Sequence, residues 1–278
     1  MLQNKCFWIG SKFYNKKQKM KGAIIGDIIG SRFEKDNIKT KAFELFTEKS
    51  RFTDDTVLTV AIADAILNKK DYAETVRTYS LAYPMAGYGK TFKKWMAGTI
   101  SGPYNSWGNG SAMRVSPVGL LYDDETTILK EAEKSAAITH NHEEGIKGAQ
   151  AVAMAVFLAR KGKSKQAIKT YIEQQFGYDL SRTIDEIRPN YTFDVSCQGS
   201  VPEAIIAFLE SENFEDAIRI AISIGGDSDT IASMSGAIAE AFYGKIPTEL
   251  IAKMNEYLPE NFKTVLEHFQ KKINLDIG

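Results

Sequence analysis

Gly225-Gly226-Asp227-Ser228-Asp229-Thr230 decides the reading of this chain, together with an earlier stretch that answers it, Thr53-Asp54-Asp55-Thr56. Each is a burst of oxygen-bearing side chains set directly before a long apolar run: Ile231 to Phe242 after the first, Val57 to Leu67 after the second. Runs of that length with small and apolar residues throughout predict buried helices, which puts both acidic clusters at helix N-termini. An Asp or Thr there has an ordinary role, because its oxygen accepts from an unpaired N–H of the first turn and its charge meets the positive end of the dipole. A cap needs one acceptor, however, and each cluster supplies two carboxylates with two Thr hydroxyls or a Thr and a Ser. Like charges gathered at a buried helix end are costly unless a cation neutralises them. Oxygen ligands without His or Cys suit Mg²⁺, Mn²⁺ or Ca²⁺ rather than zinc. The double glycine lets the chain turn tightly enough for Asp227, Asp229 and Thr230 to converge. A two-metal oxygen site is the sharper of the two readings. Whether the two clusters meet in space is not a local property.

Between the clusters lies Gly108-Asn109-Gly110-Ser111-Ala112-Met113-Arg114. With Phe52 to Thr56 and Gly225 to Thr230, this order of three motifs resembles the ADP-ribosylglycohydrolase family, from about Met20 to about Pro247. The resemblance implies a hydrolase that removes ADP-ribose from a modified acceptor with two divalent ions, Mg²⁺ first and Mn²⁺ next. It assigns the metal to Thr53, Asp54, Asp55, Asp227, Asp229 and Thr230. It assigns contact with ADP-ribose to Gly108, Asn109, Gly110, Ser111, Ala112 and His140. Glu34 matches an acidic residue that serves catalysis or gating in the branch cutting O-linkages such as ADP-ribosyl-serine. Without the resemblance Glu34 reads as a solvated loop acid. The arginine branch, which cuts an N-glycosidic bond, shares the metal site, and adducts of small metabolites stay open too. Glu34, Asp54 and Asp55 are the candidates for the proton-transfer group.

Composition agrees with an enzyme of this kind. The 278 residues carry 35 basic and 35 acidic side chains, a balance that gives no nucleic-acid or membrane-surface signature. With 44% hydrophobic residues, only 7 Pro and no linker-like tract, residues 20–278 read as one domain. Two cysteines, Cys6 and Cys197, make no disulfide framework and point to a reducing cytoplasm, with Cys197 a packing residue. Residues 1–19 hold five Lys and no acid. Their one apolar run is too short for a signal core or a membrane span, so a loosely ordered extension is expected, with a partner-binding tail or start-codon choice as alternatives.

Along the chain, Gly22, Gly26 and Gly30 fall at four-residue intervals and predict a helix built for close approach. Residues 35–50 are polar and read as a mobile loop. Helices are expected over 71–83, 127–137, 145–160 and 164–176, and around 250–257 and 262–273. Asn213 is expected to cap 214–224, and Ser200-Val201-Pro202-Glu203 to open a helix to about Leu209 as a capping box. The alternation over 191–197 suggests a short extended piece. Arg114 is either a ligand contact or a structural partner of a buried carboxylate, and His142 stays outside the site.

Rival chemistries fit poorly. Gly89-Lys90-Thr91 has Pro84 where a phosphate-binding loop needs its first glycine. Gly226-Asp227-Ser228 lacks the second glycine of a nucleophile elbow, because Thr230 stands there, and the one His that follows, His268, is alone on a charged helix. A non-catalytic ADP-ribose-binding module would be free to lose its acids, and Asp54, Asp55, Asp227 and Asp229 are all present. The expectation is therefore an all-α, single compact orthogonal helical domain with a metal site between helix N-termini.

Overall fold

The computed structural model describes residues 20–276, which form fifteen helices and no strand. The expectation for residues 1–19 lies outside the described residues. The helices are α1 (Gly22–Gly30), α2 (Asp54–Asn68), α3 (Tyr72–Ala82), α4 (Lys90–Met96), α5 (Gly110–Met113), α6 (Ser116–Leu121), α7 (Glu125–Ala137) and α8 (Glu143–Arg160). They continue with α9 (Lys165–Phe176), α10 (Ile184–Ile187), α11 (Cys197–Glu210), α12 (Phe214–Ser223), α13 (Ser228–Tyr243), α14 (Thr248–Tyr257) and α15 (Glu260–Asp276). None is long and apolar enough to cross a membrane.

The centre is α13, buried from Ser228 to Ala241 and surrounded by α1, α8, α11 and α12. Its closest neighbour is α1, and the glycine stripe is the reason. A Cβ on Gly22 would stand 2.2 Å from Gly236 O, one on Gly26 2.1 Å from Ala232 O, and one on Gly30 2.6 Å from Asp229 Cα. Only glycine permits this approach, which places the end of α1 directly against the second acidic cluster. No side chain caps the start of α1 from within; Glu240 of α13 accepts from the N–H groups of Lys21 and Gly22 at 2.8 and 2.6 Å instead. That satisfies two donors a helix start leaves unpaired.

Caps set most boundaries where expected. Asp71, Ser164 and Asn213 accept from the first turns of α3, α9 and α12, and Thr53 from that of α2. Asp124 and His142 do the same for α7 and α8, each of which starts two residues before its predicted position.

One expectation fails and two are refined. The helix assigned to start at Ser200 starts at Cys197, capped by Ser196, and Pro202 lies inside it. Ser200 Oγ donates to Ser196 O, and Glu203 pairs with Arg182 at 2.7 Å, so neither residue forms a capping box. The Ser-x-Pro-Glu spacing resembled an N-terminus, but the cap that operates lies one turn upstream. Residues 191–197 form no strand; one antiparallel bridge, Gly108 to Ser196, is all the pairing present. Residues 35–50 lack helix, as expected of a loop, and side chains from elsewhere bond their backbone. Arg219 holds the carbonyls of Lys41 and Phe43, and Tyr257 Oη donates to Thr47 O.

Candidate active site

The two acidic clusters meet. Thr230 Oγ1 donates to Asp55 Oδ2 at 3.1 Å, joining the start of α13 to the start of α2. The geometry needs a sharp entry to α13, supplied by Gly225 and Gly226 at φ +78° and +73°, values L side chains rarely adopt.

A third acid joins them. Asp27 of α1 is fully buried and faces the cap of α2. Its Oδ1 accepts from Thr53 Oγ1 at 2.6 Å. Its Oδ2 accepts from the N–H groups of Thr53 and Thr56 at 2.9 and 3.1 Å and from Thr56 Oγ1. The sequence marks Gly22 to Gly30 as a helix built for close approach but does not single out Asp27 as a ligand candidate. A lone Asp inside a glycine-spaced apolar helix was the signal available. Among the described residues, Asp27, Asp55 and Asp229 each bring one carboxylate oxygen within 4.8 Å of the others.

Electrostatics follow from this crowding. Burial pushes Asp27 up to about 6 against the pull of four donors. Burial, then the charges of Asp27, Asp227 and Glu34, push Asp54 up to about 8. Asp55 and Asp229 are driven well above the carboxylate range by burial and by their acidic neighbours. Burial also raises Asp227, opposed by the amide of Asn109. Oxygen-only donors, mutual repulsion and a buried Asp55 Oδ1 with no partner among the described residues fit a hard divalent cation.

The cluster floors a cavity of about 580 Å³. Glu34, Thr53, Asp54, Asp55, Asp227, Asp229 and Thr230 line it, as do Gly108, Asn109, Gly110 and His140. The half-exposed rings of Trp107 and Phe193 stand at its edge.

Two residues expected to touch ligand do not line this cavity. Ser111 is fully buried and its hydroxyl donates to Gly145 O at 2.7 Å. Ala112 is fully buried too, both facing inward as α5 turns away from the loop. The backbone N–H groups of Gly108 and Asn109 are also occupied, donating to Ser106 Oγ and Val195 O. Asn109 contributes through its side chain, whose Nδ2 donates to Asp227 Oδ2 at 2.8 Å. Thr53 is divided between roles, since its hydroxyl donates to Asp27 while accepting from Asp55 N–H.

Arg114 pairs with no carboxylate. One of its amino groups donates to Ser135 O and Thr139 Oγ1, each at 2.9 Å. Arginine can only donate, so Thr139 accepts from it, and the same hydroxyl is hydrogen-bonded to His140 Nδ1, 2.7 Å away. Burial, and next the Arg114 charge, hold the imidazole neutral. This link behind His140 was not legible beforehand, because Arg114 after α5 meets the adjacent Thr139 and His140 after α7 only in the fold. His142 caps α8 and takes no part in the cavity.

Known proteins resemble the chain over nearly its whole length. The family model described as ADP-ribosylglycohydrolase matches residues 17–276. The chain is 27% identical to "ADP-ribosylhydrolase ARH3" of Gallus gallus, covering 90% of this chain and 88% of that one. Identity is 28% to the Mus musculus protein of the same name, with 90% and 86% covered. It is 26% identical to "ADP-ribosylarginine hydrolase Tri1" of Pseudomonas putida (strain GB-1), over 84% of this chain and 72% of that one. A solved structure titled "ADP-ribosylglycohydrolase-related protein complex" superposes with a TM-score of 0.69 at 22% identity, over 92% of this chain and 98% of that one, and shares the fold.

Proposed function

The chain belongs to the ADP-ribosylglycohydrolase family and is a glycosidase-type hydrolase of ADP-ribosyl groups, and on that premise we propose that it frees ADP-ribose from modified protein side chains in a Mg²⁺-dependent reaction. One observation carries this reading: Glu34 and the carboxylates of both helix starts face one cavity while Asp55 Oδ1 is buried without a partner among the described residues.

Thr53, Asp54, Asp55, Asp227, Asp229 and Thr230 would hold two divalent ions, with Asp27 completing the set through Oδ1, its less occupied oxygen. Bound there, Mg²⁺ or Mn²⁺ would orient ribose hydroxyls and lower the pKa of a water. The remaining work falls to the chain. Asn109 holds Asp227 in place. His140 presents a neutral imidazole to the ligand, a hydrogen-bonding group that costs no charge burial. The wall at 108–110 carries two glycines, so the backbone can lie close against a diphosphate. Glu34, only half buried on the segment after α1, is the group placed to give a proton to the leaving acceptor or take one from water. Positive charge developing at the anomeric carbon is stabilised by the carboxylates around it.

The linkage we assign is the O-glycosidic, serine type, because the acid after Gly30-Ser31-Arg32-Phe33 is present and lines the cavity. An arginine-type linkage is the second reading, favoured by the likeness to the Pseudomonas protein. The test is ADP-ribose release from matched peptides modified on serine and on arginine, with Mg²⁺ and with EDTA. Mg²⁺-dependent release from the serine peptide alone is expected. Release only from arginine overturns the linkage, and release unaffected by EDTA overturns the metal dependence.

A further inference from the structure

One side chain ties the segment carrying Glu34 to the glycine turn that carries Asp227. Asn37 Oδ1 accepts from Gly226 N–H at 2.8 Å, and its Nδ2 donates to Gly226 O at 2.9 Å. The amide therefore pairs with both backbone groups of one residue. The same Nδ2 lies 2.6 Å from Phe33 O and 3.2 Å from Glu34 O, so it gathers the backbone of Glu34 into the same knot.

Gly226 has no room to retreat. A Cβ there would stand 2.4 Å from the ring of Tyr191, and the residue is already in the left-handed region. A second tie runs parallel to the first. Lys39 Nζ donates to Ile224 O at 2.6 Å and to Tyr191 O at 2.7 Å, across the same turn. The packing of α1 on α13 runs through separate contacts, those of Gly22, Gly26 and Gly30.

We infer that Asn37 is a positioning residue, which fixes Glu34 relative to Asp227 and Asp229 by clasping Gly226. This rests on the reading of Glu34 as the proton-transfer group. A carboxylate on a segment without secondary structure has no intrinsic reason to hold one position. A displacement of about 1 Å at a reacting group lowers a rate by up to ~100-fold.

Two substitutions separate the clasp from simple space-filling. Asn37→Ala deletes all four contacts. Asn37→Asp keeps the shape and the acceptor for Gly226 N–H, but it turns the donor into an anion facing three carbonyl oxygens. If Asn37 only filled space, Asp would be the milder change; as a clasp, Asp must be at least as damaging as Ala. We expect Asn37→Ala to lower kcat by ~10- to 100-fold, with KM, Mg²⁺ affinity by calorimetry and melting temperature near wild type. In a Glu34→Gln background the same change should lower kcat no further, since both act through one group. Independently of turnover, hydrogen exchange should quicken together at Gly226 and over residues 33–36.

A milder Asn37→Asp, full additivity with Glu34→Gln, or loss of Mg²⁺ affinity in step with kcat overturns the positioning role. Unchanged exchange at Gly226 overturns the clasp itself. Wild-type protein that releases no ADP-ribose would instead overturn the assigned reaction, and coupled exchange would then still show the clasp without a catalytic consequence.

Discussion

Thr230 Oγ1 donates to Asp55 Oδ2 at 3.1 Å although 175 residues separate the two. The contact welds two helix starts into one site and occupies one oxygen of Asp55. The other, Oδ1, is buried without a partner among the described residues, beside Asp27 and Asp229. Asp55→Asn keeps the shape and a hydrogen-bonding group for Thr230 while removing the charge a cation needs. Mg²⁺ affinity measured by calorimetry should fall at least ~100-fold and turnover with it. Turnover and affinity both near wild type would remove Asp55 from the metal site.

The crowded carboxylates make stability depend on pH with a definite sign. Asp54 stands at about 8 and Asp27 at about 6 in the folded chain, both raised first by burial. Between the ordinary carboxylate value of about 4 and these figures, the folded chain holds protons the unfolded chain has released, so their contribution to stability is lost as pH rises through that window. A bound divalent cation replaces those protons. The rise in melting temperature on adding Mg²⁺ should therefore be small near about pH 5 and grow toward about pH 8.5. An equal rise at both ends would contradict this account.

Gly26 faces Ala232 O so closely that a methyl group would stand 2.1 Å from it. Gly26→Ala must part α1 from α13, at a cost on the order of 3 kcal/mol. Asp27, the next residue, would shift with the helix. Thermal denaturation should show the loss, and Mg²⁺ affinity should decline too. A stable Gly26→Ala protein with intact metal binding would mean that the close approach does not hold the site.

Asn109 and Ser111 sit two residues apart and should behave differently. The Ser111 hydroxyl bonds Gly145 O inside the protein, so Ser111→Ala should cost about 1 kcal/mol of stability and leave KM unchanged. Asn109→Ala frees Asp227 and should reduce turnover by ~10- to 100-fold at little cost in folding. Steady-state kinetics beside melting curves decide the matter. A raised KM for Ser111→Ala would restore the ligand contact that the family resemblance implies.

Much of the architecture was legible in the chain. Helix signals act within a turn or two, so apolar periodicity and caps such as Asp71, Ser164 and Asn213 located most helices. The same local logic put both acidic clusters at helix starts. It misjudged α11, where Ser200-x-Pro202-Glu203 imitates a helix start but Ser196 provides it. The family resemblance also implied ligand contact for all of 108–112, whereas α5 begins within that stretch and neither Ser111 nor Ala112 lines the cavity.

By itself the sequence determined an all-helical chain, the oxygen character of its acids and their placement at two helix N-termini, because these depend on residues close in the chain. Only the tertiary structure decided that Thr230 reaches Asp55, that Asp27 joins through Thr53 and Thr56, that Asn109 serves Asp227, and that Asn37 clasps Gly226. Those meetings depend on how far α1 can close on α13. The glycines at 22, 26 and 30 permit that distance, but their spacing does not say which helix will fill it.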